Sequence, residues 1–138
     1  MQNRDRILAI DFGTKRIGVA YTDELNISVN KLPYIVNDNS TISKFQRIIE
    51  EYRINKLLLG YPYSVIDSDN PIIKEIDRFH DLLKEKTGLE IIKFDESYST
   101  EMAYRVISAV GVKKSKKKAA KDSFSAAVIL INYLEKMS

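Results

Sequence analysis

The sequence predicts an α/β protein: a mixed five-stranded sheet with helices on both faces. Three observations carry that expectation. Apolar runs at 6–11 and 17–22 flank a short glycine-containing turn at 12–16, which makes a β-hairpin. Apolar runs at 56–60 and 90–94 then alternate with segments of helical period, the mark of strand–helix–strand units. Finally, Leu57-Leu58-Leu59 is apolar without alternation, which suits a strand buried on both faces of a sheet with parallel neighbours.

Each element has its own reason. Residues 28–36 form a third strand, and Pro33 sends it to an edge or a break because proline cannot donate to a ladder. Asn37-Asp38-Asn39-Ser40 has helix-capping chemistry, and Ile42, Phe45, Ile48, Ile49 and Tyr52 make 41–53 an amphipathic helix. Residues 61–70, around Pro62, are a polar loop, with Gly60-Tyr61-Pro62 either a buried strand end or a backbone-binding loop. Ile72, Ile73, Ile76, Phe79, Leu82 and Leu83 predict a helix over 71–86, stopped by Gly88. His80 lies near its apolar face and is read as structural. The strand at 90–94 ends at Asp95-Glu96. A helix at 100–110, a lysine-rich segment and a last helix from about 119 or 122 to 136 complete the chain, expected to be one domain over 1–138.

Composition narrows the chemistry. The chain has 138 residues and 44% apolar content, enough to bury a core without covalent staples. It has no cysteine and one histidine, which excludes disulfides, thiolate metal sites and sites built on several histidines. No run reaches the roughly 18–20 apolar residues of a membrane span, and the N-terminus lacks the apolar core of a signal peptide. A cytoplasmic location with no membrane partner is therefore expected. Net charge is +3, but six lysines fall within nine residues: Lys113, Lys114, Lys116, Lys117, Lys118 and Lys121. Such a block suits a polyanionic partner, or else a solvated loop.

The acids stand out against this background. Asp11 closes an apolar strand, where burial is costly unless the charge is paired or holds a metal. Asp95 and Glu96 close another strand, and strand ends border the usual ligand crevice of an open α/β sheet. Asp122 shares a helical stripe with Ala119, Ala126, Ile129 and Tyr133, so it faces the sheet. Carboxylates brought together repel unless a cation joins them. Mg²⁺ or Mn²⁺ removes that objection, and two such ions can cleave a phosphodiester without histidine or cysteine. Each acid also has a structural alternative: Asp11 as an Asx-type turn residue, Asp122 as a helix N-cap, and one of Asp95 and Glu96 as a solvated strand end. Ser99 or Thr100 suits a helix N-cap whose free amides could hold a phosphate. The run Asp11-x-Gly13-Thr14 with Gly18 also resembles the phosphate loop of sugar kinases and actin-like ATPases, but 138 residues cannot supply their two lobes.

Ile10-Asp11-Phe12-Gly13-Thr14-Lys15-Arg16-Ile17-Gly18-Val19-Ala20 resembles the opening motif of the YqgF family. These are RuvC-like proteins of RNase H fold, connected with Holliday junction resolution and with pre-16S ribosomal RNA processing. The resemblance continues at Gly60-Tyr61-Pro62, at Asp95-Glu96-Ser97-Tyr98-Ser99-Thr100, and at Asp122 with Ala126-Ala127 and Leu130. Two positions depart from the family pattern: Ser97 stands in place of an arginine, and 61–70 contains no glycine.

The resemblance implies an RNase H-like fold and a Mg²⁺- or Mn²⁺-dependent nuclease. Its catalytic acids would be Asp11, Glu96 with Asp95 beside it, and Asp122; Asp11, Glu96 and Asp122 would hold the metal. Thr14, Lys15, Arg16, Thr100, Lys116, Lys117 and Lys118 would contact nucleic acid. The expected substrate is structured RNA, with processing of the 5′ end of pre-16S ribosomal RNA in ribosome biogenesis. The alternatives are branched DNA in recombination or repair, or a catalytically weak RNA-binding module. A monomer or a weak homodimer is expected.

Overall fold

The structure, a computed structural model, describes residues 5–23, 28–63, 70–95 and 121–137. Five strands form one sheet: β1 (Ile7–Asp11), β2 (Arg16–Thr22), β3 (Val29–Val36), β4 (Lys56–Tyr61) and β5 (Glu90–Asp95). Their spatial order is β3-β2-β1-β4-β5. β2 runs antiparallel to both β1 and β3, whereas β4 is parallel to β1 and β5. The expected mixed sheet is thus present, and β1, the strand that delivers Asp11, lies at its centre. Helices α1 (Thr41–Glu51), α2 (Pro71–Thr87) and α3 (Lys121–Met137) cover it. Residues 100–110 and the lysine-rich segment lie outside the described residues.

Central position explains the lack of alternation in β1 and β4. Leu8, Ala9, Ile10, Leu57, Leu58 and Leu59 are all fully buried because both faces are covered. Leu8, Ile10, Leu57 and Leu59 pack on one face with Phe45 of α1 and Ile76, Phe79 and Leu83 of α2. Ile7, Ala9, Ala20 and Leu58 pack on the other with Ala126, Ile129, Leu130 and Tyr133 of α3.

Pro33 places β3 at the edge, as expected. It also accompanies a bulge: Ile17 pairs with Ile35 and Val19 with Leu32, so Pro33 and Tyr34 together oppose Gly18. α2 starts where the Asn70 side chain accepts a hydrogen bond from the Ile72 amide (3.0 Å), with Pro71 in the first turn. It ends at Gly88, whose φ of 69° is the left-handed conformation glycine tolerates. At the start of α1, the Ser40 side chain makes no cap bond. Instead the Asp38 carboxylate accepts from the Ser40 amide (2.8 Å) and hydroxyl (2.6 Å).

Of the two readings of Gly60-Tyr61-Pro62, the structure has the buried strand end, and only the loop boundary moves past Tyr61. Tyr61 belongs to β4, not to the polar loop, and is buried. Its hydroxyl donates to Asp77 of α2 (3.0 Å), and Lys93 Nζ lies 4.7 Å from its ring centroid. An apolar body with a satisfied polar tip suits a strand end at the rim of the core. His80 is half-buried on α2, and its Nδ1 lies 3.0 Å from the Asp81 carboxylate. Among the described residues no helix is long and apolar enough to cross a membrane.

Candidate active site

The C-terminal ends of the parallel strands β1, β4 and β5 lie at one end of the sheet, where ligands of open α/β sheets bind. Asp11 closes the central strand there and is half-buried. The two-residue period puts it with Ile7 and Ala9 on the face that α3 covers. Its partner on β2 is Gly18. On β4, the step after the Ile10–Leu59 pair is Gly60. Both neighbours of Asp11 in its row therefore lack side chains.

The following turn is fixed by contacts to other elements. A Cβ at Gly13 would collide with the Arg16 carbonyl oxygen, so only glycine fits. The Asn37 side-chain amide donates to the Gly13 carbonyl (3.0 Å), and the Asn37 backbone amide donates to the Lys15 carbonyl (2.9 Å). Phe12 turns to the opposite face, its ring centroid 4.9 Å from that of Phe79. The anchored turn presents Thr14, Lys15 and Arg16 at the surface. The Arg16 guanidinium lies 5.3 Å from the Tyr34 ring centroid.

The structure separates Asp95 from Asp11. Asp95 is in register with Tyr61, and Lys93 with Leu59, so both face α2. Lys93 Nζ lies 3.6 Å from the Asp77 carboxylate of that helix. Ile92 and Phe94 alternate onto the Asp11 face, where Phe94 packs edge-on against Tyr133 of α3 (5.6 Å). Position 122 lies in the first turn of α3, four residues before Ala126 on the stripe that continues through Ile129 and Tyr133. That stripe covers the sheet face bearing Asp11. Glu96, Thr100, Lys116, Lys117 and Lys118 lie outside the described residues. Among the described residues no three His, Cys, Asp or Glu side chains cluster as a metal site would need.

Two contributors escaped sequence reasoning. Ser123 is buried, and its hydroxyl donates to the Leu32 carbonyl beside the β3 bulge. Lys31 Nζ lies 5.3 Å from the Phe124 ring centroid, and burial lowers the pKa of this lysine. Both contacts dock the start of α3 on β3. Pro33 signals the break in β3, but nothing local in the sequence signals its partner 91 residues away. Near the turn, hydrogen bonds from the Ser40 hydroxyl and amide hold the Asp38 carboxyl below its ordinary pKa. Burial, followed by the bond to Asp77, pushes the Tyr61 phenol up.

Comparison with known proteins identifies the family and the fold. Residues 5–136 match the family model described as RuvX, Holliday junction resolvase. A protein of Malacoplasma penetrans named "Putative pre-16S rRNA nuclease" is 41% identical over 141 residues, with 97% of each chain covered. One of the same name from Agathobacter rectalis is 33% identical over 138 residues, with 96% of each covered. Among solved structures, Thermus thermophilus RuvC superposes with a TM-score of 0.63 at 9% identity, covering 96% of both chains. The fowlpox virus Holliday junction resolvase gives 0.58 at 13% identity, covering 96% of this chain and 99% of its own. These structural likenesses establish the RuvC-like, RNase H-type fold, and with the nearly full-length sequence match the chain belongs to the RuvX (YqgF) family of nucleases.

Proposed function

We propose that this chain acts as one domain, a cytoplasmic nuclease that hydrolyses phosphodiester bonds at the 5′ end of pre-16S ribosomal RNA with the help of Mg²⁺ or Mn²⁺. The observation that carries the reading is Asp11: a carboxylate at the end of the central strand, flanked by two glycines, on the face covered by the helix that contains Asp122. Its donor set fits a hard divalent cation, which prefers carboxylate oxygen. We assign metal holding to Asp11, Glu96 and Asp122. Because Asp95 faces α2, the acid of that pair assigned to the metal is Glu96, as the family resemblance implies. Such a cation, when bound, supplies an activated water and charge stabilisation for the leaving oxygen.

The chain's own groups bind and orient the strand. Thr14, Lys15 and Arg16 stand exposed on the anchored turn, two residues or more beyond Asp11, where they can meet substrate phosphates. Thr100, Lys116, Lys117 and Lys118 are assigned to the same task. A monomer suffices for a single cut in RNA.

The experiment is cleavage of a precursor RNA with Mg²⁺ or Mn²⁺, comparing wild type with Asp11→Asn. Removing even an outer-shell partner of a metal site costs about 10–100-fold, so loss of a direct ligand is expected to cost more than about 100-fold. Equal rates in both proteins would rule out the assignment. A second reading, cleavage of branched DNA, draws on the family model's description and on the RuvC likeness. It requires two opposed sites and hence a dimer; preference for a four-way junction over precursor RNA, with dimerisation by sedimentation, would select it.

A further inference from the structure

We propose that a groove beside the β1–β2 turn holds one unpaired nucleobase of the substrate strand. The inference rests on the nuclease reading and adds a specificity subsite to it. The groove has a volume of about 450 Å³, within the range of small-ligand sites. It holds a base with room for its sugar and cannot hold a duplex. Phe12 and Thr14 form one wall, directly after Asp11 in the chain. The loop after β3 forms another. Glu75, Arg78, Phe79 and Leu82 form the third, at the spacing i, i+3, i+4, i+7 of a single face of α2. The groove thus opens at the catalytic end of the sheet but on the face opposite the Asp11 carboxylate.

Its chemistry selects a base over a phosphate. Two carboxylates, Asp38 and Glu75, stand against one guanidinium, Arg78. The Asp38 carboxylate already accepts from Ser40, but Glu75 and Arg78 have no hydrogen-bond or ion-pair partner among the described residues, although they sit three apart on one helix. Leu82 is 40% exposed and, with the Phe12–Phe79 pair, gives the groove an apolar wall open to solvent. An apolar wall, a guanidinium plane and an acceptor-only carboxylate match what proteins use for splayed-out bases: stacking for the ring and hydrogen bonds for its edge. A carboxylate accepts from an exocyclic amine, as on adenine, cytosine or guanine. Uracil, without one, is the poorest fit.

The test uses the full chain carrying Asp11→Asn, so that bound RNA stays intact. The probe is an RNA hairpin with a single-stranded 5′ extension, in which one abasic nucleotide is stepped along the extension and affinity is read by fluorescence anisotropy. One position is expected to lose about 5- to 100-fold, the range of base stacking, while the others change little. Uridine at that position should lose part of the same effect. Adding Leu82→Glu or Glu75→Lys, both at exposed α2 positions, should abolish the step and leave the affinity for a hairpin without extension unchanged. Equal losses at every position, or a step that persists in both variants, overturns the subsite even if cleavage is intact. Competition by free adenosine monophosphate at the strand's own concentration overturns the substrate-strand source. No RNA binding at all overturns the nuclease reading along with the subsite.

Discussion

The two faces of the sheet are covered by side chains of different size. Toward α1 and α2 the sheet presents Leu8, Ile10, Leu57 and Leu59, and the helices answer with Phe45, Phe79 and Leu83. Toward α3 it presents Ala9 and Ala20 beside Ile7 and Leu58, and the helix answers with Ala126 and Ala127 beside Ile129, Leu130 and Tyr133. Ala9 and Ala20 against Ala126 and Ala127 leave room for α3 against the central strands, on the face bearing Asp11. The large-residue face holds most of the largest fully buried side chains, and the other face bears Asp11. The proposed site implies a division of labour: bulk on one side holds the sheet, and the alanines on the other position the helix that carries Asp122.

Mutations on the two faces should therefore fail differently. The largest stability loss belongs to Phe45→Ala, which empties a fully buried aromatic site. It should cost about 3–5 kcal/mol and lower Tm by roughly 6–20 °C, while cleavage well below the new Tm stays near wild type. Ala126→Leu, at a fully buried position of α3, should cost less, about 1–3 kcal/mol from overpacking. Its cleavage should nevertheless fall further than that of Phe45→Ala, because the helix that carries Asp122 is pushed off the sheet. If the two variants lose activity in proportion to their Tm, the division of labour is wrong. Ser123→Ala sharpens the same point: it leaves the Leu32 carbonyl without its side-chain donor and should cost about 1–2 kcal/mol. It should also raise the Mn²⁺ concentration needed for half-maximal cleavage, and Ser123→Thr, which keeps the hydroxyl, should restore it. An unchanged Mn²⁺ requirement would make the Ser123 bond purely structural.

The smallest effect lies at the start of α1, on the large-residue face. Asp38 has a depressed folded pKa, so its contribution to stability is present above the ordinary carboxylate range and is lost as pH falls through the lower folded value. The stability gap between wild type and Asp38→Asn should narrow below about pH 4. A gap that stays constant from neutral pH to pH 3 would mean the Ser40 hydrogen bonds do not favour the charged form.

Much of this was legible in the chain. The β1–β2 hairpin, the doubly buried Leu57-Leu58-Leu59 and the Gly88 stop follow from short-range period and backbone sterics, and the structure has them within a residue or two. The acids at strand ends were legible for the same reason, since a charge closing an apolar run is a local pattern. Which acids share a face was not. Asp11 and Asp95 both close strands of the same sheet, yet the register through β4 turns one toward α3 and the other toward α2.

The sequence by itself determined the described elements, their order and the candidate acids, because helix and strand formation depend on neighbours a few residues away. The tertiary structure decided the rest. Tyr61 joins β4 because Asp77 and Lys93, distant in sequence, satisfy its phenol and cover its ring. Asn37 fixes the turn after Asp11 from 24 residues away, and Ser123 docks α3 on β3 from 91 residues away. Such bonds exist only once chain closure brings a donor to an acceptor that its own strand leaves unpaired, and no local pattern encodes that meeting.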